Sequence, residues 1–230
     1  MKILIVSATS YEIAPLIRYM DEHAEKASFF EYKYKGHIIY PLVTGVGALM
    51  TSFAMARYTD IQNVGVAINA GVAGSYGDDF EVGDVVEVYS DRFADLGVEE
   101  ADGSFTDVFQ LGLQDKERYP YSNGWIENKK PKYSTLLPQV KGLTVNRVHG
   151  TAESIALIKS KYTASVESME GAGFMYASTI MDVDHHQMRA ISNMVEPRNK
   201  ENWNIPVAID NLNHHLISFI DQIIAQLSIP

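Results

Sequence analysis

The stretch from Asn63 to Val88, NVGVAINAGVAGSYGDDFEVGDVVEV, carries an apolar strand that breaks off in glycines, with a second strand directly behind it. Val66, Ala67 and Ile68 run without a polar interruption, the pattern of a parallel strand buried on both faces. A chain built around such a strand must cover it from two sides, and helices are the elements that do so. Gly71 and Gly74 follow at once and read as a loop whose backbone takes turns closed to other residues and approaches a ligand closely. An isolated Gly-x-x-Gly also makes plain tight turns, so ligand binding has to be argued from other segments.

Those segments alternate. Ile3 to Ala8 reads as a strand, and Thr9 or Ser10 can cap a helix that sets Ile13, Leu16, Ile17 and Met20 three and four apart. Ser28 to Tyr34 and His37 to Val43 flank Lys35-Gly36 as a β-hairpin, and Gly47 to Tyr58 suits a small-residue helix packed on a sheet. Val85, Val86 and Val88 form a further strand. Leu143 to Val148, Ala164 to Val166 and Gln187 to Ile191 are short strands separated by helices beginning near Ala152 and Glu170. From Ile205 onward, Ile209, Leu212, Leu216, Ile220, Ile223 and Leu227 form the stripe of an amphipathic helix laid on a sheet. Glycines and prolines punctuate the stretch from Glu100 to Gly142, which reads as a long functional loop. With no repeat, low-complexity tract or linker, residues 1–230 are expected to form one α/β domain. Its architecture is a three-layer αβα sandwich with a mixed central sheet.

Charge narrows the partner. A net charge of −10, from 19 Lys+Arg against 29 Asp+Glu, opposes nucleic acid and anionic membrane surfaces, which need concentrated positive charge. A small molecule is the expected partner. The absence of cysteine excludes disulfides, thiolate catalysis and Cys-based metal sites, and fits a reducing cytoplasm. Ile3 to Val6 is too short for a signal-peptide core, and no apolar run is of membrane length, so the expectation is cytoplasmic. His185-His186 and His214-His215 are adjacent pairs facing different sides and read as exposed ends of elements, so no metal is expected.

Four pieces can carry chemistry, each at or just past a strand end: Glu12, the Gly71 to Gly74 turn, Ser168-Met169-Glu170-Gly171, and Arg189-Ala190-Ile191-Ser192-Asn193. In an open α/β sheet the ligand crevice lies beyond the carboxyl ends of the strands, so such pieces can converge on one site. By themselves, Glu12 reads more readily as an idle glutamate in a first helical turn, and Met169-Glu170 as a core methionine beside another.

Taken together and in this order, MKILIVSATSYEI, INAGVAGSYGDDFEVGDVV, FADLGVE, VESMEG and RAISNMVEPRNKENWNIP resemble the purine nucleoside phosphorylase and nucleosidase superfamily over nearly the whole chain. The resemblance points to its methylthioadenosine/S-adenosylhomocysteine nucleosidases and, more strongly, to its futalosine hydrolases. It implies that Glu12 is the acid/base that activates water for attack on the ribose anomeric carbon. A carboxylate there takes the proton and offsets the charge of an oxocarbenium-like state. It implies that Glu170 accepts from both ribose hydroxyls and that Met169 packs on the sugar.

Asn193 departs from the nucleosidases, in which the resemblance places an aspartate after Ile-Ser. An asparagine amide offers two N–H donors to a 6-oxo group and N7 but has no titratable proton, so a 6-oxopurine suits it better than adenine. Val72 stands where nucleosidases often carry a serine near the sugar, which leaves contacts there to backbone amides alone. Futalosine's benzoate arm calls for an aromatic slot ending in a cation, for which Arg198 near Trp203, with Phe93 and Phe105 on loops, are candidates beside Arg92 and Arg147.

The resemblance thus implies hydrolysis of futalosine to hypoxanthine and its dehypoxanthine product, on the way to menaquinone, without a cofactor. It also implies a homodimer, with the Glu100 to Gly142 region a candidate for its interface. Three rivals stand beside this reading: a methylthioadenosine/S-adenosylhomocysteine nucleosidase, a phosphorylase, and a nucleoside-binding module without turnover. His149, after a strand, is either a satisfied structural residue or a group facing the site.

Overall fold

The computed structural model describes residues 1–28, 30–58 and 61–227. In chain order its elements are β1 (Lys2–Ser7), α1 (Ala14–His23), β2 (Glu25–Lys26), β3 (Tyr32–Tyr34), β4 (His37–Val43) and α2 (Ala48–Arg57). Next come β5 (Val64–Ser75), β6 (Val85–Phe93), β7 (Gly97–Glu99), β8 (Phe105–Asp107), β9 (Tyr121–Ser122), β10 (Trp125–Glu127) and β11 (Gln139–Thr144). The chain continues with α3 (Ala152–Lys161), β12 (Val166–Ser168), α4 (Gly171–Ile180), β13 (His185–Met194) and α5 (Ile205–Leu227).

An eleven-stranded mixed sheet runs β2-β3-β4-β1-β5-β12-β11-β6-β10-β9, and β13 bridges β5 and β6 off that path. β5 is parallel to β1 and β13 and antiparallel to β12, while β6 pairs with β11 and β13. With β11 on β12, these pairings close β5, β13, β6, β11 and β12 into a ring. The ring gathers the ends of strands distant in sequence around one opening.

Alternation along the buried strands splits the core in two. Ile3 and Ile5 of β1 with Val66, Ile68 and Ala70 of β5 face α1 and α5, where Leu16, Met20, Leu212, Leu216 and Ile220 meet them. Leu4, Val6 and Ala67 face the other way, onto Met55 of α2 and Phe174 and Met175 of α4. Helices therefore lie on both sides of a mixed sheet, the αβα sandwich the alternation implies. Each fully buried Ile or Leu contributes about 1.5–3 kcal/mol of transfer free energy, which makes the β1/β5 seam the structural floor of the molecule.

Several local expectations are corrected. β5 continues as a strand through Gly71 and Gly74 to Ser75, and neither glycine has a positive φ. Their use is lateral room, as the site below shows. Thr9 and Ser10 do not cap α1, which begins at Ala14 behind an Ile13 cap without side-chain bonding. β11 ends at Thr144 and β12 begins at Val166, a few residues before and after the expected strands. The stretch 100–142 contains the short strands β8, β9 and β10 and the start of β11. β3 begins at Tyr32, and Phe29 lies outside the described residues. His185 and His186 are not exposed ends: both are buried in β13, and His186 Nδ1 lies 2.7 Å from Glu87 Oε1. The α5 stripe is buried as far as Ile223 and Ile224, whereas Leu227 is exposed. Among the described residues no helix is long and apolar enough to cross a membrane.

Candidate active site

Glu12 sits in the turn between β1 and α1, 8% exposed. Its Oε2 accepts from the Ser7 hydroxyl at 3.2 Å and from the Thr9 amide and hydroxyl, both at 2.9 Å. Among the described residues Oε1 accepts only the Val72 amide, at 3.3 Å, and so keeps the spare lone-pair capacity that a base needs. The Val72 amide is thereby turned toward Glu12 rather than kept for a sugar contact. The turn is anchored from behind by buried Asn213 of α5, whose Nδ2 donates to the carbonyl of Glu12 at 2.8 Å and whose Oδ1 accepts from Leu16 N at 3.0 Å.

Glu170 lies where β12 passes into α4, 5% exposed, its Oε1 accepting the Gly47 amide at 3.0 Å. Between the two carboxylates comes Arg189 of β13, 1% exposed, with Nη1 3.9 Å from Glu170 Oε2. Nε donates to Gln187 Oε1 at 3.1 Å, and Nη2 donates to Asn69 Oδ1. Gln187 in turn donates to Asp91 Oδ2 at 3.0 Å, so a buried polar chain runs beneath the site from Asp91 to Asn69. Burial pushes the Asp91 carboxyl up to about 6, against the opposing pull of its donors Gln187, Thr144 and the Arg92 amide.

Gly71 explains itself here. A Cβ at this position would lie under 3.0 Å from Arg189 Nη1 and 3.0 Å from Glu12 Oε1, so only glycine lets the guanidinium and the carboxylate share the β5 surface. At Gly74 a Cβ would come 2.8 Å from Val195 Cγ2 and 3.2 Å from Asn193 Nδ2, and glycine there makes room for the Asn193 amide. The glycines act by what crosses over them.

Asn193, at the end of β13, is half-buried; its Oδ1 accepts from the Ser192 hydroxyl at 2.8 Å and its Nδ2 donates to Met194 O at 2.9 Å. One of its two N–H donors is thus already used, which corrects the expectation of two free donors. Asn193, Gly74, His149, Glu167, Arg198 and Trp203 line one narrow cavity of about 70 Å³. Arg198 is exposed at its rim with its guanidinium 5.8 Å from the Trp203 ring. Met169 is half-buried directly before Glu170.

Four candidates lie elsewhere. Phe93 packs against Tyr176 of α4, ring centres 6.5 Å apart, on the Met55 side of the sheet. Arg92 is held by Asp107 at 2.7 Å and stacked on Phe109 and Tyr162, in a separate cavity of about 640 Å³. Phe105 and Arg147 line a third cavity, of about 380 Å³, that shares His149 with the Asn193 cavity. Sequence reading did not single out Arg189, Asn213 or Glu167 as individual site residues. The signal for Arg189 was its place two residues after Gln187, on the same face of a strand that is buried along most of its length.

Two buried carboxylates about one buried arginine, on the strands of an αβα sandwich, make a site suited to a polar small molecule. The family model described as the phosphorylase superfamily matches residues 2–224. The futalosine hydrolase of Acidothermus cellulolyticus is 33% identical over 182 residues, 75% of this chain and 71% of that protein. That of Thermus thermophilus is 30% identical over 212 residues, 91% of each. Among solved structures, futalosine hydrolase of Helicobacter pylori superposes with a TM-score of 0.78 at 17% identity over 96% of this chain and 98% of that one. A 5′-methylthioadenosine/S-adenosylhomocysteine nucleosidase from Neisseria meningitidis gives 0.71 at 18% identity over 96% and 99%. At these identities the solved structures speak for the fold. The chain belongs to the phosphorylase superfamily, in its futalosine hydrolase branch, and is an N-glycosyl hydrolase.

Proposed function

We propose that this enzyme hydrolyses the C1′–N9 bond of futalosine, giving hypoxanthine and dehypoxanthine futalosine in a cytoplasmic route to menaquinone. The observation that carries the reading is the pairing of Glu12 and Glu170 about Arg189, with Asn193 beyond Gly74 on the same strand edge. Water held by Glu12 Oε1 attacks C1′ as the bond to N9 lengthens, and Glu12 takes its proton. Glu170 accepts from the 2′- and 3′-hydroxyls, and Met169 packs on the sugar. The charge that builds on the ribose is met by carboxylates fixed in advance by Ser7, Thr9 and Gly47.

Asn193 reads the base. Its remaining N–H suits an acceptor, and an adenine amino group in the same place would meet a donor. Val72 borders this sugar site, and Arg198, stacked on Trp203 at the cavity rim, is positioned to bind the carboxylate of the arm. Phe93 stands apart from this cavity and is assigned no contact.

The apolar surface of α2 and α4 supports a homodimer. Leu49 is 72% and Phe53 60% exposed one turn apart on α2, and Ile180 is exposed on α4, which packs against it, so apolar side chains stand bare on one helix pair. Sedimentation of the wild type against Phe53→Glu tests it: a two-chain mass that the variant halves is expected.

The function itself is tested by chromatography of free base after incubation with futalosine, inosine, methylthioadenosine and S-adenosylhomocysteine without phosphate. Hypoxanthine from futalosine is expected. Adenine from either thioether nucleoside, with futalosine untouched, would refute the reading of Asn193.

A further inference from the structure

A 6-oxopurine leaving as the free base presents two acceptors, O6 and N7, and must gain a proton as its bond to C1′ breaks. Asn193 has one N–H left for it and cannot transfer that proton at all, because an amide does not titrate in this range. Something else lining the cavity has to supply both the second donor and the proton.

His149 is that group by position. It lines the Asn193 cavity, and its backbone N–H donates to Glu167 Oε1 at 3.0 Å while its Nδ1 bonds Glu167 Oε2. The Tyr76 hydroxyl donates to the same Glu167 oxygen at 2.5 Å. Glu167 is 3% exposed, so its carboxylate is fixed against the ring and holds the imidazole in one orientation. Nδ1–H is spent on the carboxylate, and Nε2 has no protein partner among the described residues. On the purine side the titratable and charged groups around the ring are Glu167, Tyr76, Glu196 and Arg198. On its other side the cavity it shares is lined by Asp95, Glu99, Arg147, Glu153 and Lys161. Glu167 is the one in contact.

We propose that the His149–Glu167 pair is the leaving-group acid of this enzyme, with His149 Nε2–H delivering its proton to N7 of the departing hypoxanthine while Glu167 orients the ring. The proposal rests on the futalosine reading above. As the C1′–N9 bond breaks, its electron pair moves into the purine ring and N7 takes the Nε2 proton. Water's oxygen bonds C1′ and its proton passes to Glu12. Solvent then deprotonates Glu12 and reprotonates His149, so the sum is one water added across the bond. The dyad occupies the chemical role that a titratable aspartate would fill at position 193, which explains how an asparagine there is compatible with turnover.

The test is the pH profile of kcat on futalosine for wild type, His149→Gln and Glu167→Gln, with thermal unfolding of each. For the wild type, kcat is expected to fall toward high pH through a single deprotonation. His149→Gln should lose about 10²–10⁴-fold in kcat and show no such limb, the usual contribution of a positioned acid. In Glu167→Gln the limb should move to lower pH, since the imidazolium loses its carboxylate; this variant decides the matter if His149→Gln does not fold. The proposal is overturned if His149→Gln keeps kcat within a few-fold, if it loses kcat yet retains the wild-type limb, or if the limb in Glu167→Gln is unmoved. Wild-type protein releasing no hypoxanthine from futalosine would instead refute the parent reading, and this one with it.

Discussion

Replacing Gly71 by alanine adds a single carbon at the most crowded point of the site. That carbon would stand under 3.0 Å from Arg189 Nη1 and 3.0 Å from Glu12 Oε1, whereas ordinary contact begins at 3.4 Å. A flexible arginine would simply swing aside, but Arg189 is 1% exposed and tied to Gln187, Asn69 and Glu170. The guanidinium, the Glu12 carboxylate or both must therefore retreat by about 1 Å to restore normal carbon contact. Overpacking of this kind costs about 1–3 kcal/mol, which in a chain of this length lowers Tm by about 2–12 °C. The catalytic consequence is larger, because a displacement of about 1 Å at a reacting group is worth on the order of 10²-fold in rate. The assay pairs thermal unfolding with kcat for hypoxanthine release and uses Gly77→Ala as its control, where the nearest atom to the new carbon is Asp79 Oδ2 at 4.0 Å. A Gly71→Ala enzyme with wild-type kcat would show that Glu12 and Arg189 do not act from where they stand, even if Tm falls as expected.

Glu12→Gln keeps the shape of the turn but not the base, and kcat should drop about 10²–10⁴-fold while KM stays close to wild type, measured by initial rates. Glu170→Gln should erase most of the preference for a substrate bearing the 2′-hydroxyl, because a ribose-binding carboxylate left unpaired costs about 1–3 kcal/mol with the 2′-deoxy analogue; an unchanged ratio of kcat/KM for the two sugars would count against it. Asp91 gives a pH effect. Its folded pKa, about 6, lies above the ordinary aspartate value of 3.8, so its stabilising contribution is complete below pH 4 and is lost as pH rises through 6. Asp91→Asn should therefore gain on wild type between pH 4 and 7 by on the order of 3 kcal/mol, read from urea unfolding at both pH values, and parallel curves would deny the shift.

The layers of the fold were legible because they rest on periodicity. Ile3 to Val6 and Val66 to Ile68 could only be doubly buried strands, and the stripe from Ile209 to Ile223 could only be a helix on a sheet. The ends of elements were less legible, since β5 does not stop at its glycines. Gly71 looks like a turn in sequence, and what demands it is a guanidinium more than a hundred positions away. Contacts across that separation leave no local pattern. The same reason hid Asn213, a polar residue in the middle of an apolar stripe, whose role is to bind the Glu12 turn, and Glu167, which reads as one acidic residue of two in Val-Glu-Ser-Met-Glu. His186 was misplaced because an adjacent histidine pair suggests a surface, while Glu87 from another strand bonds its Nδ1 in the core.

Charge at the site bears on which nucleophile it can accept. Glu12 and Glu170, both buried, face one buried guanidinium, so with both carboxylates ionised the first layer carries one more negative charge than positive. That excess complements a ribose ring that becomes cationic as the glycosidic bond breaks, and it is fixed before the substrate arrives. The same excess opposes a phosphate dianion, which would have to enter against it with Arg189 already committed to Gln187, Asn69 and Glu170. Water, being neutral, pays no such penalty and gives up its proton to Glu12 Oε1, which keeps spare acceptor capacity beside the Val72 amide. Phosphate replacing chloride at matched ionic strength should leave the rate of hypoxanthine release unchanged and yield no sugar phosphate. A phosphate-dependent rate would mean that an anion reaches Arg189 after all, and that the charge balance drawn from Glu12 and Glu170 does not hold in the working enzyme.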